Sequence, residues 1–374
     1  MTLLLLSFIA CTEETPDQTA GLAVLGTADA DAPESVQMRV ILTADDGLDV
    51  PRDLEFNPEV AGELWVVNFA DDSVTVANDA GTDSQVSEHL IDPYALHFME
   101  KVSSISFGAP GTFGTCQESR NTYNDRYEPN DFMGPALWSS DRAVFAESNP
   151  EAVDYLSELY NSPVDLGSHL DMQHETPLCT GIAWETDNVY WTVDGLNGSI
   201  DRVDFGEDHG PGYDDHSDGI TAEYVAGEIG YVEDVSSHMV LDSESGWLYL
   251  TDPANQRILR LDITTGTRGA DLPIMEPGTD HYQVDDAVLE VFVDSDRGLG
   301  QPSGLALVDG VLFVTDHATG WIFAYETETG DFLDGLDTGR GSGAIQGLRA
   351  PTIDELWVVD SAANEVFLIT PKEG

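Results

Sequence analysis

The sequence predicts an all-β fold, a six-bladed β-propeller. Three observations carry that prediction. A strand ending in Asn or Asp recurs: Leu64-Trp65-Val66-Val67-Asn68, Tyr190-Trp191-Thr192-Val193-Asp194, Leu248-Tyr249-Leu250-Thr251-Asp252, Leu312-Phe313-Val314-Thr315-Asp316 and Leu356-Trp357-Val358-Val359-Asp360. The anchors lie 126, 58, 64 and 44 residues apart, and the gap of 126 leaves room for a sixth, degenerate copy. An unused strand, Arg39 to Thr43, precedes the first copy and is placed to complete the last blade, closing the ring and removing sheet edges. Short alternating strands at this period indicate one blade per repeat.

The chain of 374 residues carries 70 acidic and 14 basic side chains, a formal charge of −56, with 41% hydrophobic residues. That apolar content supports a core, so the acidity does not mean disorder. A field this negative repels phosphate backbones, which excludes nucleic acid as a partner. Asp and Glu in excess over Lys suit a solvated, halophilic-type surface.

The elements follow in chain order. Leu3 to Ala10 form an apolar run before Cys11, like a bacterial lipoprotein signal with Cys11 as the lipidated residue. No Lys or Arg precedes the run, whereas secretory signals begin positively charged. A lipoprotein signal over 1–11, a cleaved secretory signal, or neither therefore stay open. Residues 12–36 read as a flexible acidic tether and 37–374 as one propeller domain. The expected location is extracytoplasmic, with the membrane touched only through Cys11.

Each anchor strand has a first strand before it: Asp53 to Phe56, Gly181 to Trp184, His238 to Leu241, Gly304 to Leu307 and Gly347 to Ala350. The degenerate second blade takes Val102 to Phe107, Phe113 to Cys116 and Pro135 to Ser139. Asn149-Pro150 followed by Val153, Leu156, Leu159 and Tyr160 at helical spacing predicts a helix. It belongs to an insertion at about 140–178, placed between blades 2 and 3. A second insertion, Glu207 to Gly219, joins the third and fourth strands of the third blade. Of three cysteines, Cys116 and Cys179 either pair in an oxidising compartment or stay as separate buried thiols. The repeated Asp reads as a turn cap.

Gly304-Leu305-Ala306 with Val314-Thr315-Asp316 resembles the NHL repeat, in which Gly-Leu-Ala opens the inner strand and Val-x-Asp closes the second. The resemblance covers about Pro51 to Pro371. It implies an NHL/TolB-like six-bladed fold rather than an activity.

Loop geometry then places candidate site residues. Loops entering first strands share one face, the top, with those joining second to third strands. His169, Asp171, His174 and Glu175, entering the third blade, fall there, as do His238, His317 and Asp53. Neutral imidazole beside carboxylate suits zinc or a similar divalent ion. His169, His174, His238 and Asp53 are the expected metal set, with Asp171 or Glu175 as general base. A hydrogen-bonded polar rim is the alternative. The second insertion offers His209, Asp214, Asp215, His216 and Asp218, either as a calcium-type loop or as a solvated one. Its register assigns it to the bottom face, away from the first set.

Two functions fit. One is a binding module that takes a protein or small-molecule ligand on the face carrying His169, His174, His238 and His317. No Gly-x-Ser-x-Gly or His-Glu-x-x-His motif occurs. The other is a divalent-metal-dependent lyase or hydrolase at the channel mouth. It rests on a distant resemblance, centred on His238, to peptidyl-alpha-hydroxyglycine alpha-amidating lyase and gluconolactonase-like propellers. A quinone-cofactor dehydrogenase needs a basic pocket, and Arg52, Arg340 and Arg349 are scattered in sequence.

Overall fold

The computed structural model describes residues 21–26, 31–120 and 132–372. Six sheets, each antiparallel through its four core strands, stand around a central axis with the first strand of each blade innermost. The inner strands are Pro51–Phe56, Val102–Phe107, Cys179–Thr186, Met239–Asp242, Pro302–Val308 and Ile345–Thr352. Blade 6 is completed by Val36–Leu42, which pairs with Glu365–Pro371 in the register Val36↔Pro371 to Leu42↔Val366. The ring thus closes through the strand that has no place in the repeat. Cys11 and most of the tether lie outside the described residues.

Inner strands converge on the axis, and their residue types follow from that crowding. A Cβ at Gly181 would run into the carbonyl oxygen of Ser237, and one at Gly304 into that of Gln346. Glycine at these positions lets neighbouring strands approach. The hydrophobic core lies between blades, not on the axis. Trp65 of blade 1 packs edge-on against Phe107 and Phe113 of blade 2, while Phe145 closes the cluster.

The anchor carboxylates cap turns. Asp194 accepts from the backbone N–H groups of Leu196 and Asn197, Asp316 from Thr319, and Asp360 from Ala363. Asp194 shares its buried setting with Asp201, whose carboxylate bonds Ser199 and Thr176. Burial pushes Asp194 up to about 7 and, with Asp194 beside it, holds Asp201 well above the usual carboxylate range. A carboxyl raised in the folded state contributes stability at low pH and loses it as pH rises through the folded value. Wild type is therefore expected to lose stability from about pH 4 to about pH 7 and beyond. Asp201→Asn, which keeps an acceptor for either hydroxyl, should be more stable at the upper end by on the order of 1 kcal/mol. Thermal melts at both ends check this, and an Asn variant no more stable at alkaline pH would contradict it.

Two placements correct the sequence reading and a third adds a feature it did not contain. The helix Pro150–Tyr160, capped by Asn149, lies inside blade 2, between its third strand Ala136–Ser139 and its outer strand His169–Met172. The segment expected to lead from blade 2 into blade 3 is thus itself a strand. Part of the expected tether is packed rather than free. Val24 is 0% and Leu25 1% exposed, wedged among Phe313, Leu336 and Phe367 of blades 5 and 6. Finally, a hairpin of Thr267–Asp271 and Asp280–Asp285, inserted in blade 4, extends the blade 3 sheet to six strands. It pairs parallel to the outer strand Ile220–Tyr224.

Cys116 of the second strand of blade 2 and Cys179 of the inner strand of blade 3 are joined in a disulfide, Cα atoms 4.9 Å apart. No helix among the described residues is long and apolar enough to cross a membrane.

Candidate functional site

The channel is plugged at its top end and hollow at the other. At the top, hydroxyls tie the blades together. Ser103 donates to the carbonyl of Cys179, Ser236 to that of Ser103 and Ser303 to that of Ser236. The Arg52 guanidinium lies 4.0 Å over the Phe69 ring and bonds the carbonyl of Asp234.

His238 and Asp53 do meet in this plug, Nε2 to Oδ2 at 3.8 Å. His238 Nε2 also lies 3.2 Å from the Ser103 carbonyl. Burial lowers its pKa, so the ring is neutral, and the nearby Asp53 only partly opposes this. Arg349 stands 3.7 Å from Asp53 Oδ1. A guanidinium that close already neutralises the carboxylate and repels a cation. The pair therefore fits a hydrogen-bonded plug better than a metal centre. His317 bonds the Ile345 carbonyl through Nδ1 at 3.1 Å, between blades 5 and 6.

His169 and His174 are elsewhere. The strand His169–Met172 is the outer wall of blade 2. The acidic loop of blade 3 docks on it, the Gly212 N–H donating to the His169 carbonyl at 2.8 Å. Asp171, fully buried on that strand, accepts from His216 Nδ1 at 2.9 Å and from the Met172 N–H. His209 Nε2 lies 2.9 Å from Asp218 Oδ1 and 4.0 Å from Asp171 Oδ2. Asp214 flanks His216 and accepts from the Tyr160 hydroxyl, while Asp215 bonds Ser217 within the loop. Burial pushes Asp171 up to about 6, and the Asp218 hydrogen bond raises His209. His169 stacks on Phe98 at 3.7 Å and is held well below the ordinary histidine range by burial.

His174 pairs with Glu276 at 3.2 Å, and Glu175 accepts from the Met275 N–H and the Thr279 hydroxyl, both at the tip of the added hairpin. His97, a residue the sequence reading did not single out, is lowered to about 4 by burial and by His174 and His216. The expected four-residue metal set is thus split. His238 and Asp53 stay on the axis, whereas His169 meets the loop expected on the opposite face and His174 pairs with Glu276 of the added hairpin.

The hollow end carries the other candidate site. A cavity of about 380 Å³ is lined by all six inner strands, with Phe56, Phe107, Trp184, Leu241 and Leu307 among its apolar walls. Arg349 crosses its floor. The guanidinium bonds Glu55 Oε2 at 2.8 Å and the carbonyl of Leu348 at 2.9 Å. Burial raises the Glu55 pKa, and Arg349 works against that rise. Sequence reasoning missed this end because alternation marks Glu55 and Arg349 as strand residues without showing that ring closure makes their inner strands, of blades 1 and 6, neighbours.

The fold and this cavity define a six-bladed β-propeller with a ligand-sized hollow at one end of its channel. No protein-family model and no curated protein matches the chain. Solved structures do match. A luciferin-regenerating enzyme aligns at 13% identity and TM-score 0.53, over 89% of this chain and 95% of its own. The calcium-binding protein regucalcin from Agrobacterium tumefaciens aligns at 11% and 0.51, over 90% and 96%. An auxiliary nutrient-binding protein from Bacteroides thetaiotaomicron aligns at 11% and 0.51, over 87% and 70%. At such identities the likeness is one of fold.

Proposed function

We propose that this chain is an extracytoplasmic binding module, lipid-anchored through Cys11, that takes a small organic ligand into the cavity at the hollow end of its channel. The observation that carries the reading is the convergence of six inner strands on one apolar hollow with an ion pair in its floor. Apolar walls with a few placed polar groups are the usual make-up of small-molecule sites. Both Arg349 contacts to Glu55 fall on Oε2, leaving Oε1 outside the ion pair. The ligand class that suits this is an apolar body with a protonated amine or another hydrogen-bond donor. The nutrient-binding propeller from Bacteroides thetaiotaomicron supports the reading, since a similar fold serves a binding role there.

Trp184, 39% exposed on the cavity wall, provides the readout. Aryl-alkylamines and their alcohol analogues would be titrated against its fluorescence in high salt, which screens the general acidity. The amine should bind, with Glu55→Gln weakening it about tenfold, or about 1.4 kcal/mol. Trp184→Ala, followed by calorimetry, should weaken amine and alcohol alike. Amine binding indifferent to both substitutions would place the ligand elsewhere and end this reading.

A further inference from the structure

The outer wall between blades 2 and 3 gathers five of the chain's nine histidines. His169 and His216 have ring centroids 5.5 Å apart, His209 reaches the same Asp171, and His97 and His174 lie behind them. This grouping is independent of the channel cavity. Within it, one nitrogen of His209 and one oxygen each of Asp171 and Asp218 all lie within 4.8 Å of one another.

We propose that Asp171, His209 and Asp218 bind one divalent transition-metal ion of the zinc class. Asp171 is 0% exposed, and its Oδ2 makes no hydrogen bond among the described residues. A buried carboxylate oxygen without a donor is costly, and a cation beside it removes that cost. The oxygen points toward His209 Nε2, 4.0 Å away. The other ligand atoms are already oriented. Asp171 Oδ1 is fixed by His216 and the Met172 N–H, and Asp218 Oδ2 by the Glu207 N–H. Such outer contacts are what hold ligands in metal sites.

The donor set selects the ion. Calcium and magnesium take oxygen ligands, whereas one imidazole with two carboxylates suits zinc and its neighbours. Among the described residues, the ion pairs of Asp171 and Asp218 are with histidines rather than with arginine or lysine, in contrast to Asp53 at the plug.

The site also has an approach. His209 lines a cleft of about 340 Å³ together with Tyr155, Leu159, Tyr213, Asp214 and Asp215, between the helix of blade 2 and the acidic loop. Three protein ligands leave a fourth position for water or an incoming donor, as in open zinc sites. The ion would also staple both ends of the loop to the neighbouring blade.

The test is calorimetric titration of the full chain with Zn²⁺, in excess Mg²⁺ to occupy exposed carboxylates. One equivalent should bind. His209→Ala and Asp218→Asn should each weaken it beyond the roughly 10–100-fold that losing an outer-shell partner costs. Asp215→Asn, which removes the same charge from the same loop, should leave it unchanged. Asp171→Asn also disturbs a buried bond to His216, so the two loop variants carry the decision. Co²⁺ loading gives a second readout, a visible ligand-field spectrum that His209→Ala abolishes. Absence of a stoichiometric site, or equal weakening by Asp215→Asn, would overturn the proposal.

Discussion

Deleting residues 36–42 is expected to leave a chain that no longer forms a soluble ring. These residues supply the outer strand of blade 6, and every other blade draws its four core strands from one continuous stretch. Without them the strand Glu365–Pro371 becomes a free edge, which invites pairing with other chains. Leu54, Val66 and Val359 of blades 1 and 6 would also lose their packing against Ile41 and Leu42. Burial of those two side chains alone is about 3–6 kcal/mol, a large share of the net stability of a typical domain. Size-exclusion chromatography should show aggregates, and circular dichroism should show no sharp melt. A monomer melting within a few degrees of the full chain would show that closure contributes little.

Removing the disulfide should have the second largest effect. Cys116 and Cys179 are 63 residues apart and join blade 2 to blade 3. For a loop of that length, chain entropy gives about 4 kcal/mol. The paired Cys116→Ser, Cys179→Ser variant should shift the denaturant midpoint down accordingly. Reductant should do the same to wild type and nothing further to the variant. A wild-type midpoint indifferent to reductant would show that the bridge does not form or does not matter. A bridge of this weight also accords with the proposed extracytoplasmic location, since such bonds persist in oxidising compartments.

The ring is legible in the sequence because each anchor strand combines aromatic alternation with a terminal Asp or Asn that must cap a turn. Blade 2 can be read only as a gap. Its second strand, Thr112–Gln117, has Gly114 where other blades carry a large side chain, since Ile182 and Tyr190 of blade 3 fill that space. The strand His169–Met172 is hidden because it is only four residues long and its polar members, His169 and Asp171, are buried along with the apolar ones. Read as a connection, it puts His169 and Asp171 at the wrong end of the ring. The pairing of Asp171 with His209 and His216 is then invisible, since it crosses from one blade to the next. The hairpin of 267–285 adds to a sheet that its own blade does not belong to, a relation no local pattern records.

That borrowed hairpin has a further consequence. In a plain propeller each blade is an interchangeable module, bound to its neighbours through side chains alone, and stability is a sum of module and interface contributions. Here the main chain of blade 4 is hydrogen-bonded into the sheet of blade 3, with Ile220 to Tyr224 registered against Asp280 to Val284. Opening either blade would therefore break backbone hydrogen bonds of the other. Blades 3 and 4 are thereby coupled through the main chain as one cooperative block, inside an array whose other members keep their separate sheets.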